Sequence, residues 1–278
     1  MFYYNPKKIS LRLRLTIATL AVLVFGAAWV SYFTNTAKVS APENTPETKN
    51  SLVGAKSTPV IPAVAPPPRE IPILVYHKTP DNFASQLDSL LARGYSTISM
   101  AELADYLDGL TGIATKPVVI TFDDGFSDQA TAFSLLREKN MKATFYIIVG
   151  GEKSGWCIGA MRRQQDCGDS YLGWDKIREM KQSGLIEIGA HTINHADLAS
   201  LSAEEQAKEI LDSKNTIEKE LGGEVTSLAY PYGKYNQATL DIVAKSSLRS
   251  AVTTMSGSTQ SAENRFTLTR VRDALLLP

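Results

Sequence analysis

Short apolar runs alternate from residue 71 onward with longer segments in which apolar residues recur at helical spacing. Apolar runs of about four to eight residues are typical of buried strands, whereas a period of about 3.6 residues predicts helices. The predicted strands are Ile71–His77, Tyr95–Ile98, Lys116–Phe122, Ala143–Val149, Leu185–Ala190, Val225–Tyr230 and Ser250–Thr253. The predicted helices are Phe83–Arg93, Met100–Leu107, Gln129–Lys139, Asp175–Gln182, a long helix capped by Ser202 that ends near Leu221, and Tyr235–Lys245. This alternation predicts an α/β domain over residues 71–278, with helices covering a parallel sheet that is open or closed into a barrel.

The N-terminal segment has a different pattern. Residues 15–33 contain no charged side chain, and as a helix they would span about 28 Å, close to the thickness of the hydrocarbon layer. All four basic residues of the first 14 precede this run, so residues 1–14 are expected in the cytoplasm. We therefore expect a single-pass anchor in a bacterial cytoplasmic membrane, with the α/β domain on the periplasmic or extracellular side. A cleaved signal peptide is the alternative, because small residues occur at positions 26–28.

Residues 34–70 contain seven prolines and show neither helical nor strand periodicity. Proline interrupts helices and sheets and favours extended backbone, so this segment is predicted to be a linker between the membrane and the domain. The whole chain has 29 basic and 29 acidic residues, but residues 71–278 contain 21 basic and 26 acidic ones. A mildly acidic domain argues against a nucleic-acid partner.

The two cysteines, Cys157 and Cys167, lie in a polar, glycine-rich stretch between a predicted strand and a predicted helix. An exported domain is in an oxidising compartment, where disulfides persist. We expect these two residues to form a disulfide. A zinc site would need further ligands, and no histidine lies nearby in the sequence.

Polar residues that could bind a metal or transfer a proton follow several predicted strands. Asp123 and Asp124 end the strand that reads KPVVITF, and His191 and His195 follow the strand LIEIGA. Ligands gather at the carboxyl ends of strands in α/β folds. Adjacent carboxylates there point to different sides, so one could bind a metal while the other acts as a general base; helix capping is the alternative. Two histidines four residues apart can face the same way on a helical turn, a spacing that is common in metal sites.

The third histidine, His77, also ends a predicted strand, so all three histidines of the chain occupy predicted strand ends. Two histidines and a carboxylate leave a metal ion with open positions for water and substrate, as catalytic metal sites require. A further segment, YPYG at residues 230–233, follows a predicted strand. By itself that segment is an ordinary turn.

TFDDG, HTINH and YPYG, in this order, resemble the motifs of the polysaccharide deacetylases of carbohydrate esterase family 4. The resemblance covers about residues 71–271 and implies a distorted (β/α) barrel with about seven strands. It also implies a divalent metal, most often Zn²⁺ with Co²⁺ or Ni²⁺ as alternatives, held by Asp124, His191 and His195. By the same resemblance Asp123 is the general base and the backbone N–H of Tyr232 binds the oxyanion.

The chain departs from the family pattern at two places. Most members carry the acid as a histidine late in the sequence, but no histidine follows His195 here. The segment ILVYH resembles that late motif moved to the front, as in the branch that deacetylates poly-N-acetylglucosamine, so we assign the acid to His77. The family usually has an arginine at the position of Ala229, where it orients the catalytic aspartate. Arg270 or Arg272 is the candidate replacement.

The resemblance implies removal of N-acetyl groups from an N-acetylated polysaccharide or oligosaccharide outside the cytoplasm. Trp174, Tyr230 and Pro231 are candidate substrate-binding residues, and Trp174 could instead be a packing residue. An esterase that removes O-acetyl groups from xylan or a similar polymer is one alternative function. A non-catalytic glycan-binding module on the same fold is another, although all four central residues are present.

Overall fold

The computed structural model describes residues 64–150 and 171–272. Contacts divide the chain into Met1–Pro59 and Val60–Pro278, and every described residue belongs to the second unit. The predicted membrane segment, most of the predicted linker and both cysteines lie outside the described residues. None of the helices in the two described ranges is both long and apolar enough to cross a membrane.

Strands and helices alternate as the sequence pattern predicts. The strands are β1 (Arg69–Glu70), β2 (Ile73–Tyr76), β3 (Ser96–Ile98), β4 (Pro117–Phe122), β5 (Ala143–Ile147), β6 (Ile186–Ala190), β7 (Ser227–Ala229), β8 (Ser250–Ser256), β9 (Thr259–Gln260) and β10 (Leu268–Arg270). The α-helices are α1 (Phe83–Ala92), α2 (Met100–Leu107), α3 (Gln129–Glu138), α4 (Trp174–Gln182), α5 (Ala203–Leu221) and α6 (Gln237–Lys245). Short 3₁₀ turns cover Leu198–Ser200 and Pro231–Gly233.

Seven parallel strands form a nearly closed barrel. Their neighbour order is β10-β8-β7-β6-β5-β4-β2, and β3 pairs with the first half of β4. The two ends of this order meet where Val75 donates a backbone hydrogen bond of 3.0 Å to Val271, and Val271 donates one of 2.8 Å to Ile73. A parallel bridge between Leu74 and Val271 joins the same edges. This confirms the predicted (β/α) barrel.

Both faces of the barrel wall are covered. Every residue of β4 and β5 is buried, which is typical of parallel strands packed between helices and a filled interior. Val119, Tyr146 and Val252 share one apolar cluster with residues of α2, and Phe122 belongs to the larger cluster beneath the outer helices. Because side chains alternate along a strand, Val119, Tyr146 and Val252 point into the barrel, whereas Phe122 points outward to the helices. A Cβ on Gly189 would lie 2.5 Å from the Tyr146 ring, so glycine leaves room for that ring.

Capping boxes set the starts of α2, α5 and α6. At the start of α5, the Ser202 hydroxyl accepts a hydrogen bond from the backbone N–H of Glu205, and the Glu205 carboxylate accepts one from the backbone N–H of Ser202. The same exchange between Ser99 and Glu102 begins α2. The carboxylate of Glu187 on β6 accepts a hydrogen bond of 2.8 Å from the backbone N–H at residue 101. This contact ties the start of α2 to the barrel.

The pattern failed at the edges of the domain. The sequence analysis predicted no strand after residue 253, yet β10 completes the barrel. Its segment, Leu268–Arg270, contains one apolar residue and is held by pairing with β8. The linker prediction extends too far, because its last two residues, Arg69 and Glu70, pair with β9. The Arg69 guanidinium also donates to the carbonyls of Ala114 and Thr115.

Candidate active site

Three side chains from two loops converge at the carboxyl end of the barrel. Asp124 Oδ1 lies 3.3 Å from His191 Nε2 and 3.4 Å from His195 Nε2. One candidate ligand atom from each of the three residues lies within 4.8 Å of the others. Asp124 Oδ1 is buried and has no hydrogen-bond partner among the described residues. A carboxylate oxygen in this position, between two imidazole nitrogens, fits a divalent cation of the kind that binds nitrogen and oxygen ligands.

The surroundings of both imidazoles favour the neutral form that binds a metal. His191 Nδ1 lies 2.8 Å from the carbonyl oxygen of Ala229. A carbonyl only accepts, so Nδ1 carries the proton and Nε2 turns its lone pair toward Asp124. Burial, followed by the neighbouring His191, lowers the pKa of His195 below its ordinary value. The neutral imidazole that a metal requires is therefore favoured at this position.

The histidine loop is not the helical turn that the spacing suggested. Thr192 and His195 have positive φ angles of 64° and 53°, and their segment belongs to no helix. Glu209 on α5 holds the loop from outside, since its carboxylate accepts hydrogen bonds from the backbone N–H groups of Ile193 and Asn194 at 3.0 and 2.9 Å. The sequence analysis did not identify Glu209, because nothing near it in the sequence links it to the loop.

Asp123 points away from Asp124 and forms a buried ion pair. Arg270 donates from Nη1 to Asp123 Oδ1 at 2.8 Å and from Nη2 to Oδ2 at 2.7 Å. The Arg270 Nε–H donates to the carbonyl of Thr253 at 2.8 Å. Arg270 is 1% exposed and Asp123 is 2% exposed. Of the two arginines considered for the missing family arginine, the structure places Arg270 on the aspartate.

The ion pair controls the charge of Asp123. Burial alone would raise the pKa of this carboxyl, but the charge and the hydrogen bonds of Arg270 outweigh burial and hold the pKa below its ordinary value. Asp123 is therefore an ionised carboxylate fixed in one orientation. Both adjacent carboxylates are committed to contacts inside the site, and α3 instead begins after Asp128, so the helix-capping alternative is wrong.

His77 completes the group around Asp123. Its Nε2 lies 4.0 Å from Asp123 Oδ2, and its side chain is 56% exposed. The buried side chain of Gln129 donates hydrogen bonds to the backbone carbonyls of His77 and Asp123, at 2.8 and 2.6 Å. Gln129 thereby fixes the ends of two strands relative to each other. It is a second positioning residue that sequence reasoning missed.

Tyr232 lies beside His195, one of the candidate metal ligands. Its backbone is in the left-handed region with φ 59° and ψ 7°, and its ring is packed edge-on against His195 with the centroids 4.6 Å apart. The ring is 59% exposed. The next residue, Gly233, has φ 69°, and a Cβ there would lie 2.6 Å from the backbone nitrogen of Thr254. Glycine is required at this close approach, which sets the position of Tyr232.

The three predicted substrate-binding residues are buried. Trp174 is 8% exposed and Tyr230 is 1% exposed, and Pro231 is buried as well. The Tyr230 hydroxyl donates to the carbonyl of Phe266 at 3.0 Å, which satisfies its polar end inside the protein. Direct stacking of a sugar on these side chains is therefore contradicted by their burial. Each packs in or beside the core, and Trp174 has the packing role considered as its alternative.

A candidate metal site, a buried aspartate and a neighbouring histidine at the carboxyl end of a (β/α) barrel suit hydrolytic chemistry. The model of the family described as polysaccharide deacetylase matches residues 113–251. YxkH of Bacillus subtilis, whose name places it in this family, is 31% identical over 215 residues, which cover 74% of this chain and 72% of that protein. The chain belongs to the polysaccharide deacetylases of carbohydrate esterase family 4, which are hydrolases.

Two further comparisons give the range of similarity. The structure of the Streptococcus pyogenes deacetylase PplD in complex with acetate is 32% identical, with a TM-score of 0.65, and the match covers 74% of this chain and 93% of that one. The poly-beta-1,6-N-acetyl-D-glucosamine N-deacetylase of Staphylococcus aureus is 25% identical over 190 residues. That match covers 63% of this chain and 60% of the relative, so the chain spans less than two thirds of that protein.

Proposed function

We propose that this chain hydrolyses N-acetyl groups of an N-acetylglucosamine-containing polysaccharide outside the cytoplasm, with a divalent metal ion as cofactor. The convergence of Asp124, His191 and His195 beside the Asp123–Arg270 pair is the observation that carries the proposal. The name of the Staphylococcus aureus relative supports the choice of glycan. The uncharged run at residues 15–33 supports a membrane-anchored enzyme whose barrel is on the outer side.

Asp124, His191 and His195 would hold the metal. Two nitrogen ligands and one oxygen ligand suit Zn²⁺, and Co²⁺ and Ni²⁺ accept similar ligands. When bound, such an ion polarises the amide carbonyl and makes a water molecule more acidic. The contact between His191 Nδ1 and the carbonyl of Ala229 keeps the ligand nitrogen correctly oriented.

Asp123 acts as the general base in this proposal. Its carboxylate is kept ionised and oriented by Arg270, and each carboxylate oxygen has a lone pair beyond the one that accepts from the guanidinium. It can therefore accept a proton from the water that attacks the acetyl carbonyl. The backbone N–H of Tyr232 lies early in a 3₁₀ turn, where amide groups have no partner inside the turn. This N–H is the donor assigned to the developing oxyanion.

His77 acts as the general acid. The nitrogen of an amide leaves only when it takes up a proton, and His77 Nε2, 4.0 Å from Asp123, faces the same space as the base. The carbon–nitrogen bond breaks as that proton is transferred, and the products are acetate and a free amine on the sugar. His77 is 56% exposed, so its proton can be replaced from solvent.

Acetate release from N-acetylglucosamine oligomers tests the proposal. We expect the full-length chain to release acetate only when metal is present, and Asp123→Asn to reduce turnover by at least about 100-fold, since general-base catalysis contributes that much. Asp175→Asn is the matched control, because Asp175 lies on the exposed face of α4 with its side chain fully exposed. His77→Ala should retain metal binding and lose turnover.

The other outcomes point to different functions. Release from O-acetylated xylan without release from the N-acetylated oligomers would identify the O-acetyl esterase alternative. A chain that binds oligomers but releases no acetate from either substrate would be a glycan-binding module. Unchanged turnover in Asp123→Asn would contradict the assignment of the base.

A further inference from the structure

A pocket of about 240 Å³ opens beside the Asp123–Arg270 pair, and its wall includes none of the three candidate metal ligands. Its wall combines the ends of β2, β8 and β10 and contains Val75, Tyr76, His77, Lys78, Thr254, Arg270 and Arg272. Four of these seven side chains can carry a positive charge, and none is acidic. This concentration of positive charge is unusual for the chain, because residues 71–278 carry five more acidic than basic side chains.

The four cationic residues differ in how far their charge is already balanced. Arg270 is neutralised by its bidentate pair with Asp123. Lys78 Nζ lies 3.2 Å from Asp128 Oδ1 and 3.8 Å from the centre of the Phe126 ring, so its charge is shared with Asp128. His77 has the catalytic role proposed above.

Arg272 is the remaining cation. No carboxylate within residues 64–150 and 171–272 forms an ion pair with it, and its residue is exposed. It follows Arg270 by two positions and lies in a bend just beyond the end of β10. Arg270 and Arg272 both line the pocket, so Arg272 is at the same end of the barrel as the Asp123–Arg270 pair.

The position of the pocket shows which part of a substrate would reach it. The general acid must lie at the amide nitrogen, which is attached to the sugar, whereas the acetyl carbonyl lies toward the metal ligands. The pocket includes His77 but none of Asp124, His191 and His195. It therefore faces the sugar that carries the leaving nitrogen, or a sugar next to it, and not the acetyl group.

We propose that this pocket is a subsite for an anionic substituent of the glycan, a carboxylate or a phosphate, and that Arg272 is its main recognition residue. This inference rests on the proposed function and makes it narrower: the preferred substrate is an N-acetylated glycan with a negatively charged group close to the reacting sugar. The planar guanidinium suits both anions, because it can donate two parallel hydrogen bonds. Lys78 adds a weaker, partly screened attraction.

Three tetramers of N-acetylglucosamine test this subsite: an unmodified one, one with a single O-succinyl group and one with a single O-phosphoryl group. Binding to the full-length chain is measured by calorimetry, and acetate release gives kcat/KM for each tetramer. We expect an anionic tetramer to exceed the neutral one by about fivefold in both measurements, as a charge-assisted contact allows. Arg272→Gln should bring this ratio close to one, and Arg272→Lys should keep part of it.

Lys245→Gln is the matched control. It removes the same charge from the last residue of α6, an exposed position outside the pocket, and should leave the ratio unchanged. Equal binding of neutral and anionic tetramers, or a ratio that Arg272→Gln does not change, would overturn the subsite. Anionic preference in binding that disappears in Arg272→Gln, without acetate release from any tetramer, would support the subsite and reject the proposed function. The succinyl and phosphoryl tetramers show which anion is preferred.

Discussion

Replacing Arg270 with glutamine removes the partner of a buried charge. In the native chain the guanidinium makes two charge-assisted hydrogen bonds to Asp123, one to the carbonyl of Thr253 and a longer one of 3.3 Å to the Thr121 hydroxyl. Glutamine is shorter and uncharged, so it cannot reproduce the double contact. Asp123 would be left with a negative charge in a position that is 2% exposed.

The size of the effect follows from this burial. Removing one partner of a buried ion pair costs about 3–5 kcal/mol in the free energy of unfolding, because the other charge stays buried without compensation. We expect Arg270→Gln to fall in that range at neutral pH. Arg270→Lys keeps the positive charge but cannot form the two parallel hydrogen bonds of the guanidinium. It should lower the free energy of unfolding by about 1–3 kcal/mol. The double variant Asp123→Asn with Arg270→Gln should recover part of the loss, because no unpaired charge remains.

The loss should depend on pH. Burial opposes ionisation of Asp123, but Arg270 outweighs it and keeps the pKa below the ordinary value. A depressed carboxyl pKa contributes stability above the pKa of the unfolded chain, about 3.9, and this stability is lost as pH falls through the folded pKa. Without Arg270, burial raises the pKa of Asp123, so protonation relieves the variant. The difference between native chain and variant should be largest near neutral pH and shrink under acidic conditions.

Denaturant unfolding at several pH values, followed by circular dichroism in the presence of chelator, measures these differences without a contribution from bound metal. Lys245→Gln serves as the charge control and should change the free energy of unfolding by less than about 0.5 kcal/mol. A loss below about 1 kcal/mol for Arg270→Gln at neutral pH, well short of the cost of a broken buried pair, would refute the reasoning. So would a loss that does not diminish as the pH is lowered.

Three further predictions concern residues around the barrel. Gly189→Ala should destabilise the protein by about 1–3 kcal/mol in denaturant unfolding, because the added Cβ would lie 2.5 Å from the Tyr146 ring. Gly112→Ala is the control: its Cβ meets no atom within 4 Å, so the free energy of unfolding should hardly change. Glu209→Ala should weaken metal binding by about 10- to 100-fold in a metal titration, since the histidine loop loses its contacts to the carboxylate; unchanged affinity would show that the loop needs no such support. Burial raises the pKa of Glu187, so this carboxyl stabilises the fold most when protonated and loses stability as pH rises. The stability advantage of the native chain over Glu187→Gln should therefore decrease between about pH 4 and 7, and an advantage that increases over this range would contradict the raised pKa.

The parts of the site that follow long apolar strands were predictable from the sequence. Asp123 and Asp124 directly follow β4, and His191 directly follows β6, so an α/β pattern alone placed them at one end of the domain. The separation of Asp124, a candidate metal ligand, from Asp123, an ion-paired carboxylate, agrees with the alternation of side chains at a strand end. The sequence named Arg270 and Arg272 as candidates for the contact to Asp123 but could not choose between them, because β10, a three-residue strand with one apolar side chain, was not predicted.

Positioning residues were missed for a physical reason. Glu209 and Gln129 lie on helices and form hydrogen bonds with backbone groups at the ends of strands or in the loops that follow them, outside their own helices. Their helical patterns record only which face is buried. The opposite error, at Tyr230, arose because an aromatic residue inside a motif is next to the site in sequence while its side chain turns into the core.

The closure of the barrel between its first and last strands has a consequence for the order of events during synthesis. Asp123 and Arg270 are 147 positions apart, and the strand that carries Arg270 is synthesised after the other strands of the barrel. Until it docks between β8 and β2, the aspartate has no counter-charge and the barrel has an open seam. Contacts this distant in sequence form late, because loop closure must precede them. A chain in which this strand has not yet docked therefore lacks the contact that orients Asp123, and the site assembled around that aspartate is complete only after β10 has folded.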